Sequence, residues 1–323
     1  MERGKFIKIM SGATACIVTP PFIRGVAGRG MTGSPPDAAR VLISGVYPHL
    51  AVFNEGLVNP ANVRAGLPAG ALSGECGIGA VVSWADRLWL MTYSPHAPYG
   101  SNDKLYSIDR QLNMVTHPQS VGGTPADRMV HKESGQLIIG AYFIGHDARI
   151  RVITPEKMPG RLTAVARHLK DPANRVYFYD MEGKLYEADV HTLEAELLFE
   201  KPIPGWHGKG GYTAQNRLIL ANNGQTPSGK FDPRDLKIGG VPQNDEQKGV
   251  LAEWDGQQWS IVRRRQCTEV TGPGGIYGAP DERSVAWSIG WDDRSVILML
   301  LDGGEWTEWR LPKATHTYDS PNG

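Results

Sequence analysis

The chain has 323 residues, 41% of them hydrophobic, with 39 Gly and 23 Pro spread along its length, a composition suited to many short strands and turns around a large core. Lys plus Arg equals Asp plus Glu at 34 each, so no global field recruits a polyanion such as DNA, and the short basic run Arg263-Arg264-Arg265 reads as a solvated strand edge. Three widely separated cysteines, Cys16, Cys76 and Cys267, indicate neither a disulfide framework nor a CxxC knuckle, and no apolar run reaches the about 18 residues that a membrane-spanning helix needs.

At the N-terminus Arg3, Lys5 and Lys8 precede a weakly apolar patch that Gly12, Thr14, Pro20 and Pro21 dilute, a poor signal-like segment. Residues 24–40 are rich in Gly, Pro and Ser, so 1–40 reads as a poorly ordered lead-in and 41–323 as one domain. Val41 to Phe53 reads as paired strand segments broken at Tyr47-Pro48-His49, and Asn54 to Ser73 as a loop or insertion. From Glu75 a strand, tight turn, strand pattern recurs: Glu75 to His96, Asp127 to Gly140, Arg161 to Tyr179, Gly208 to Asn223 and Gly274 to Gly290. A second pair of strand-like runs follows each hairpin, for example Lys104 to Asp109 with Asn113 to His117, and Lys184 to Val190 with Glu194 to Glu200. Four short strands per unit, repeating at about 40 to 50 residues, is the signature of an all-β propeller. Five units are visible, and the sequence stops soon after His316 with no sixth behind it, which reads as a partial version of a longer chain.

Strands of a blade alternate in direction, so the loop entering the innermost strand and the loop leaving the second strand open on one face. By this rule His49, Arg128, Arg161, His207 and His316 enter inner strands or their approaches, and His96, Tyr142, Asp180, Asn222 and Trp291 leave second strands. The polar segment 225–248 rises from the same face as a candidate lid. His117, His131, His146, His168 and His191 fall elsewhere and read as scaffold. Trp84, Trp89, Trp254, Trp259, Trp306 and Trp309 stand at strand spacing and read as blade packing.

The segments YPHLAVFN, ECGIGAVVSWADRLWLMTYSPH, GGTPADRMVHKESGQLIIG, PGWHGKGGYT, VTGPGGIYG and KATHTYD resemble the seven-bladed β-propeller lyases and rhamnosidases acting on L-rhamnose-α-1,4-D-glucuronate, a group related in plan to ulvan lyases. The resemblance covers most of Tyr47 to Asp319 and implies a uronate-containing oligo- or polysaccharide as partner, with a periplasmic or extracellular location. It implies catalytic roles for His96, Tyr142, Arg161 and His49; the shared face adds His207, Arg128, Asn222 and His316 as candidate substrate contacts.

Elimination at a 4-linked uronate removes the C5 proton and expels the oxygen on C4. Arg161 would neutralise the carboxylate, Tyr142 or a histidine would take the proton, and His49 or His207 would bind the carboxylate or protonate the leaving oxygen. The chemistry requires no cofactor; a structural divalent cation is compatible with the fold, and no metal ligands are identifiable. Glu75, Asp180, Asp292 and Asp293 read as exposed, scattered acids that do not pair, which favours elimination over hydrolysis. An α-L-rhamnosidase on the same linkage and a non-catalytic carbohydrate-binding propeller are the alternatives.

Overall fold

The computed structural model describes residues 77–93, 105–119, 127–204, 206–224, 236–237, 241–242, 249–264, 266–291 and 295–312. They form five four-stranded antiparallel sheets, each a meander in chain order. Blade 1 holds β1 (Gly77–Trp84), β2 (Arg87–Tyr93), β3 (Leu105–Ile108) and β4 (Met114–Thr116). Blade 2 holds β5 (Arg128–His131), β6 (Gln136–Ile139), β7 (Tyr142–Gly145) and β8 (Ile150–Val152). Blade 3 holds β9 (Leu162–Arg167), β10 (Arg175–Asp180), β11 (Leu185–Asp189) and β12 (Ala195–Phe199). Blade 4 holds β13 (Trp206–Ala214) and β14 (Arg217–Gly224), then a two-residue ladder of β15 (Leu236–Lys237) with β16 (Val241–Pro242), then β17 (Val250–Trp254) and β18 (Trp259–Arg264). Blade 5 holds β19 (Gln266–Thr271), β20 (Ala286–Trp291), β21 (Ser295–Asp302) and β22 (Glu305–Pro312). The fold is a β-propeller of four-stranded blades. The lead-in 1–40, Val41 to Phe53 and the terminal 314–319 lie outside the described residues.

Period-two alternation builds the core, because successive side chains point to opposite faces and each inner blade is covered on both. In β6, Leu137 and Ile139 join the cluster with Val82, Trp89 and Met91 of blade 1, whereas Ile138 joins Phe178 and Val165 of blade 3. In β10, Val176 and Phe178 face blade 2, while Tyr177 and Tyr179 face Leu218 and Leu220 of blade 4. In β14, Ile219 and Ala221 turn the other way and meet Ile297 and Met299 of blade 5. Strands buried on both faces therefore read as continuous apolar runs rather than alternating ones.

Local chemistry sets the turns. Ala85 and Asp86, and again Gln215 and Asn216, have positive φ at both central positions, the twist that a two-residue hairpin requires. Between the third and fourth strands an aspartate recurs, with Asp109, Asp147, Asp189 and Asp255 each accepting backbone N–H bonds from the turn that follows.

One sequence expectation is corrected in blade 5. The inner strand is β19, not a run starting at Gly274, and the Gly-rich residues 272–285 cross to the turns of other blades instead. A single 3-10 turn, Gly275–Tyr277, lies within this clasp. Ile276 packs against the blade 1 and 2 cluster, Lys132 sits 5.3 Å from the Tyr277 ring centroid, the Ala279 carbonyl accepts from Arg167, and the Ser284 carbonyl accepts from Gln215 at 3.3 Å. Arg167 also pairs with Glu133. Gly274 is required because a Cβ there would overlap the Gly278 carbonyl. The clasp thus ties blade 5 to blades 2, 3 and 4 at the face where the inner hairpins turn.

The five scaffold histidines include three whose pKa burial lowers, His117, His131 and His168. His168 shows how: its Nδ1 accepts the N–H groups of Lys170 and Asp171, at 3.1 and 2.8 Å, so Nε2 carries the proton toward Glu187. His146 lies against Trp84, with ring centroids 4.1 Å apart. Trp89 is fully buried and Trp254 stacks on Trp259, whereas Trp309 is 42% exposed. Among the described residues no helix is long and apolar enough to cross a membrane.

Candidate functional site

With the clasp on the turn face, the opposite face, where chains enter inner strands and leave second strands, carries the candidate chemistry. Register identifies equivalent positions there. Arg128 pairs with Ile139, Leu162 with Asp180, and Gly208 with Asn222. The residue just before each inner-strand partner is therefore Asp127 in blade 2, Arg161 in blade 3 and His207 in blade 4. The carbonyls of Asp127 and Arg161 confirm the match by accepting the N–H groups of Gly140 and Met181, respectively. Three consecutive blades thus present an acid, a guanidinium and an imidazole-bearing residue in one ring position.

Arg161 is held by two carboxylate oxygens of Glu182. Its backbone N–H donates to Oε2 at 3.0 Å and its Nε pairs with Oε1. The Arg161 side chain is 5% exposed and that of Glu182 24%. Asp127 is buried, and neither carboxyl oxygen has a hydrogen-bond partner among the described residues. Burial pushes its pKa up to about 7, against the opposing pull of its own backbone N–H and of Arg128.

Asp180, read from the sequence as an exposed acid, is fully buried. Its Oδ1 accepts the N–H of Lys184 at 2.7 Å, and Oδ2 has no partner among the described residues. Burial first, and the Glu182 carboxylate second, push its pKa up to about 8. Asn222 occupies the same register in blade 4, where its Oδ1 accepts the N–H of Val250 at 3.0 Å and its Nδ2 donates to the Pro204 carbonyl at 3.0 Å. Both side chains latch the second-strand exit to the start of the third strand. Blade 2 has Ile139 at this position and closes the same gap with the short Gly140-Ala141 turn.

Beside the latch, the Tyr179 hydroxyl has no partner of good geometry among the described residues, although Asn222 lies near enough to oppose the rise in pKa that burial imposes on the phenol. Gly160 and Gly208 pack over this corner: a Cβ on the first would overlap Asp180 Oδ2, and on the second the Asp180 carbonyl.

These facts predict a pH signature. A carboxyl whose pKa is raised on folding holds its proton more tightly folded than unfolded, so its contribution is intact below about pH 4 and is lost as pH climbs through about 8. Asp180→Asn keeps the latch acceptor, as Asn222 does, and removes the ionisation. Its denaturation midpoint is expected to lie close to wild type at pH 4 and to exceed it by a margin that grows up to pH 9; a margin that does not change with pH would sink the assignment.

Of the other proposed residues, Tyr142 opens β7 opposite Ile139, at the same end of blade 2 as Arg128, and is 1% exposed within the apolar cluster between blades 1 and 2. Arg128 is exposed at the start of β5. His207 lies in β13 by its backbone, and His49, His96 and His316 fall outside the described residues. Asp127 and Glu182 were not singled out by motif; aligning the hairpin starts DRMV, RLTAV and HGKGGYT would have raised Asp127. Among the described residues, no group of three or more His, Cys, Asp or Glu side chains is arranged to hold a metal.

No family model matches the chain, and no curated protein matches it in sequence. Among solved structures it is similar to the extracellular domain of a hybrid two-component system from B. thetaiotaomicron, at 11% identity over 79% of this chain and 31% of that one, with a TM-score of 0.44. An apocarotenoid oxygenase from Synechocystis follows at 12% identity, 72% and 59% coverage and a TM-score of 0.43. An oligogalacturonate lyase from Vibrio parahaemolyticus matches at 10% identity, 72% and 64% coverage and a TM-score of 0.37. The chain spans less than two thirds of the length of each, and likeness at this level attaches no activity to it.

Proposed function

We propose that this propeller is a carbohydrate-active enzyme, a lyase that cleaves L-rhamnose-α-1,4-D-glucuronate by β-elimination at the uronate on the face opposite the clasp. The observation that carries the reading is the ring position shared by Asp127, Arg161 and His207, which puts a neutral-range acid, a carboxylate-binding cation and a histidine position on three adjacent blades. In this reading Arg161 receives the uronate carboxylate, which makes the C5 proton more acidic. A histidine, His96, His49 or His207, takes that proton in preference to Tyr142, which is 1% exposed. The C5–H pair forms the C4–C5 double bond, the C4–O bond breaks, and the leaving oxygen takes a proton from an acid whose pKa lies near neutrality, as that of Asp127 does.

A second reading, an α-L-rhamnosidase on the same linkage, is favoured by one observation: Asp127 and Asp180 both lie on this face with raised pKa values, the environment that keeps a glycosidase acid protonated. Incubation with a rhamnose-capped glucuronate oligosaccharide separates the two. Elimination produces ultraviolet absorbance from an unsaturated uronate together with released rhamnose. Rhamnose without absorbance selects hydrolysis, and binding with no turnover reduces the protein to a carbohydrate-binding propeller.

A further inference from the structure

Glu182 stands in the turn after β10, closed by the Gly183 N–H donating to the Asp180 carbonyl at 3.2 Å. Its carboxylate does not point along that turn but reaches back to the entry of β9, where it takes one backbone N–H and one guanidinium N–H of the same residue, Arg161. A cation and an adjacent backbone N–H, both aimed at one carboxylate, form the donor set that an anionic ligand would use. The exposures are unequal in an informative way. The receptor, Arg161, is built into the core, whereas the occupant, Glu182, arrives from the solvent side on a short turn.

Glu182 is also a costly neighbour. It brings a negative charge beside Asp180, a fully buried carboxyl two residues away, and that repulsion adds to the effect of burial on Asp180. An uncharged residue would remove this repulsion, but it would also take the countercharge from the buried Arg161 guanidinium. Resting on the uronate reading above, the geometry points to Glu182 as an internal surrogate ligand: its carboxylate fills the seat at Arg161 that a substrate carboxylate takes, and the substrate binds by displacing it.

This makes the seat selective. A neutral sugar has no group that replaces a carboxylate between a guanidinium and a backbone N–H, so only an acidic sugar repays the displacement. Apparent affinity is then reduced by the fraction of time the seat is vacant, and removing the occupant recovers it.

The test uses the full chain and D-glucuronate as the probe, with D-glucose as the uncharged control, titrated calorimetrically or by NMR. Glu182→Gln is expected to bind glucuronate at least about fivefold more tightly than wild type, with no gain for glucose and no gain in the Glu182→Gln, Arg161→Gln double variant. Glu182→Asp, whose shorter carboxylate loses reach, is expected to show a smaller gain. A folded Glu182→Gln protein with unchanged glucuronate affinity overturns the proposal, as does failure of wild type and all variants to bind glucuronate. If Glu182→Gln and Glu182→Asp both fail to fold, Glu182 is a structural brace and the proposal is also overturned. Tighter glucuronate binding without cleavage of any uronate glycan would leave the surrogate ligand standing and remove the lyase reading instead.

Discussion

Asn222→Leu is expected to lower the free energy of unfolding by about 2–4 kcal/mol. The change preserves shape and deletes both polar atoms of the latch. The Val250 N–H, fully buried, then loses the Asn222 Oδ1 acceptor 3.0 Å away, and the Pro204 carbonyl loses the Nδ2 donor. The first loss carries the whole desolvation cost of a buried donor; the second is milder because Pro204 is exposed. Urea denaturation followed by tryptophan fluorescence measures the difference. A loss below about 0.5 kcal/mol combined with loss of sugar binding would return Asn222 to the substrate role that its place on the shared face suggests.

Gly208→Ala is the second large effect, about 3 kcal/mol. A Cβ at this position overlaps the Asp180 carbonyl and lies 2.6 Å from Cε1 of Tyr179. Neither obstacle yields easily: one is the backbone at the end of β10, latched by Lys184, and the other is a ring 1% exposed between blades 3 and 4. No φ argument is needed, so the whole cost is packing. Because the displaced carbonyl belongs to Asp180, the same change shifts the corner that holds Arg161 and Glu182. A melting temperature within about 2 °C of wild type would mean that blade 4 slides outward at little cost and that the corner is not close-packed.

Much of the architecture is legible in the sequence. The runs at 80–84 and 88–93, the pair around Ala85-Asp86-Arg87, the four-strand units in blades 1, 3 and 4 and the outer pair of blade 5 are local patterns of apolar alternation and turn residues, and the structure places strands on them. The scaffold reading of His117, His131, His146 and His168 also holds, since each is spent on a neighbouring hydroxyl, carbonyl, carboxylate or ring. Blade 5 shows where local pattern stops. Gly274 to Gly290 carries the same glycines and apolar residues as a hairpin, yet its first half leaves the sheet, because contacts with Lys132, Arg167 and Gln215 from three other blades outweigh local pairing.

Chemistry divides along the same line. Sequence alone determined the residue types, their spacing, the alternating direction of strands within a blade and hence which loops share a face, since these follow from period-two alternation and chain connectivity. Only the tertiary structure decided the environment of each group. It sank Tyr142 into an interblade core, turned Asn222 and Asp180 into latches, and stripped Asp127 and Asp180 of enough solvent to raise their pKa values. The physical reason is that burial and partnership are set by residues far apart in the chain: a carboxyl is an ordinary acid until strands from other parts of the fold take its water away.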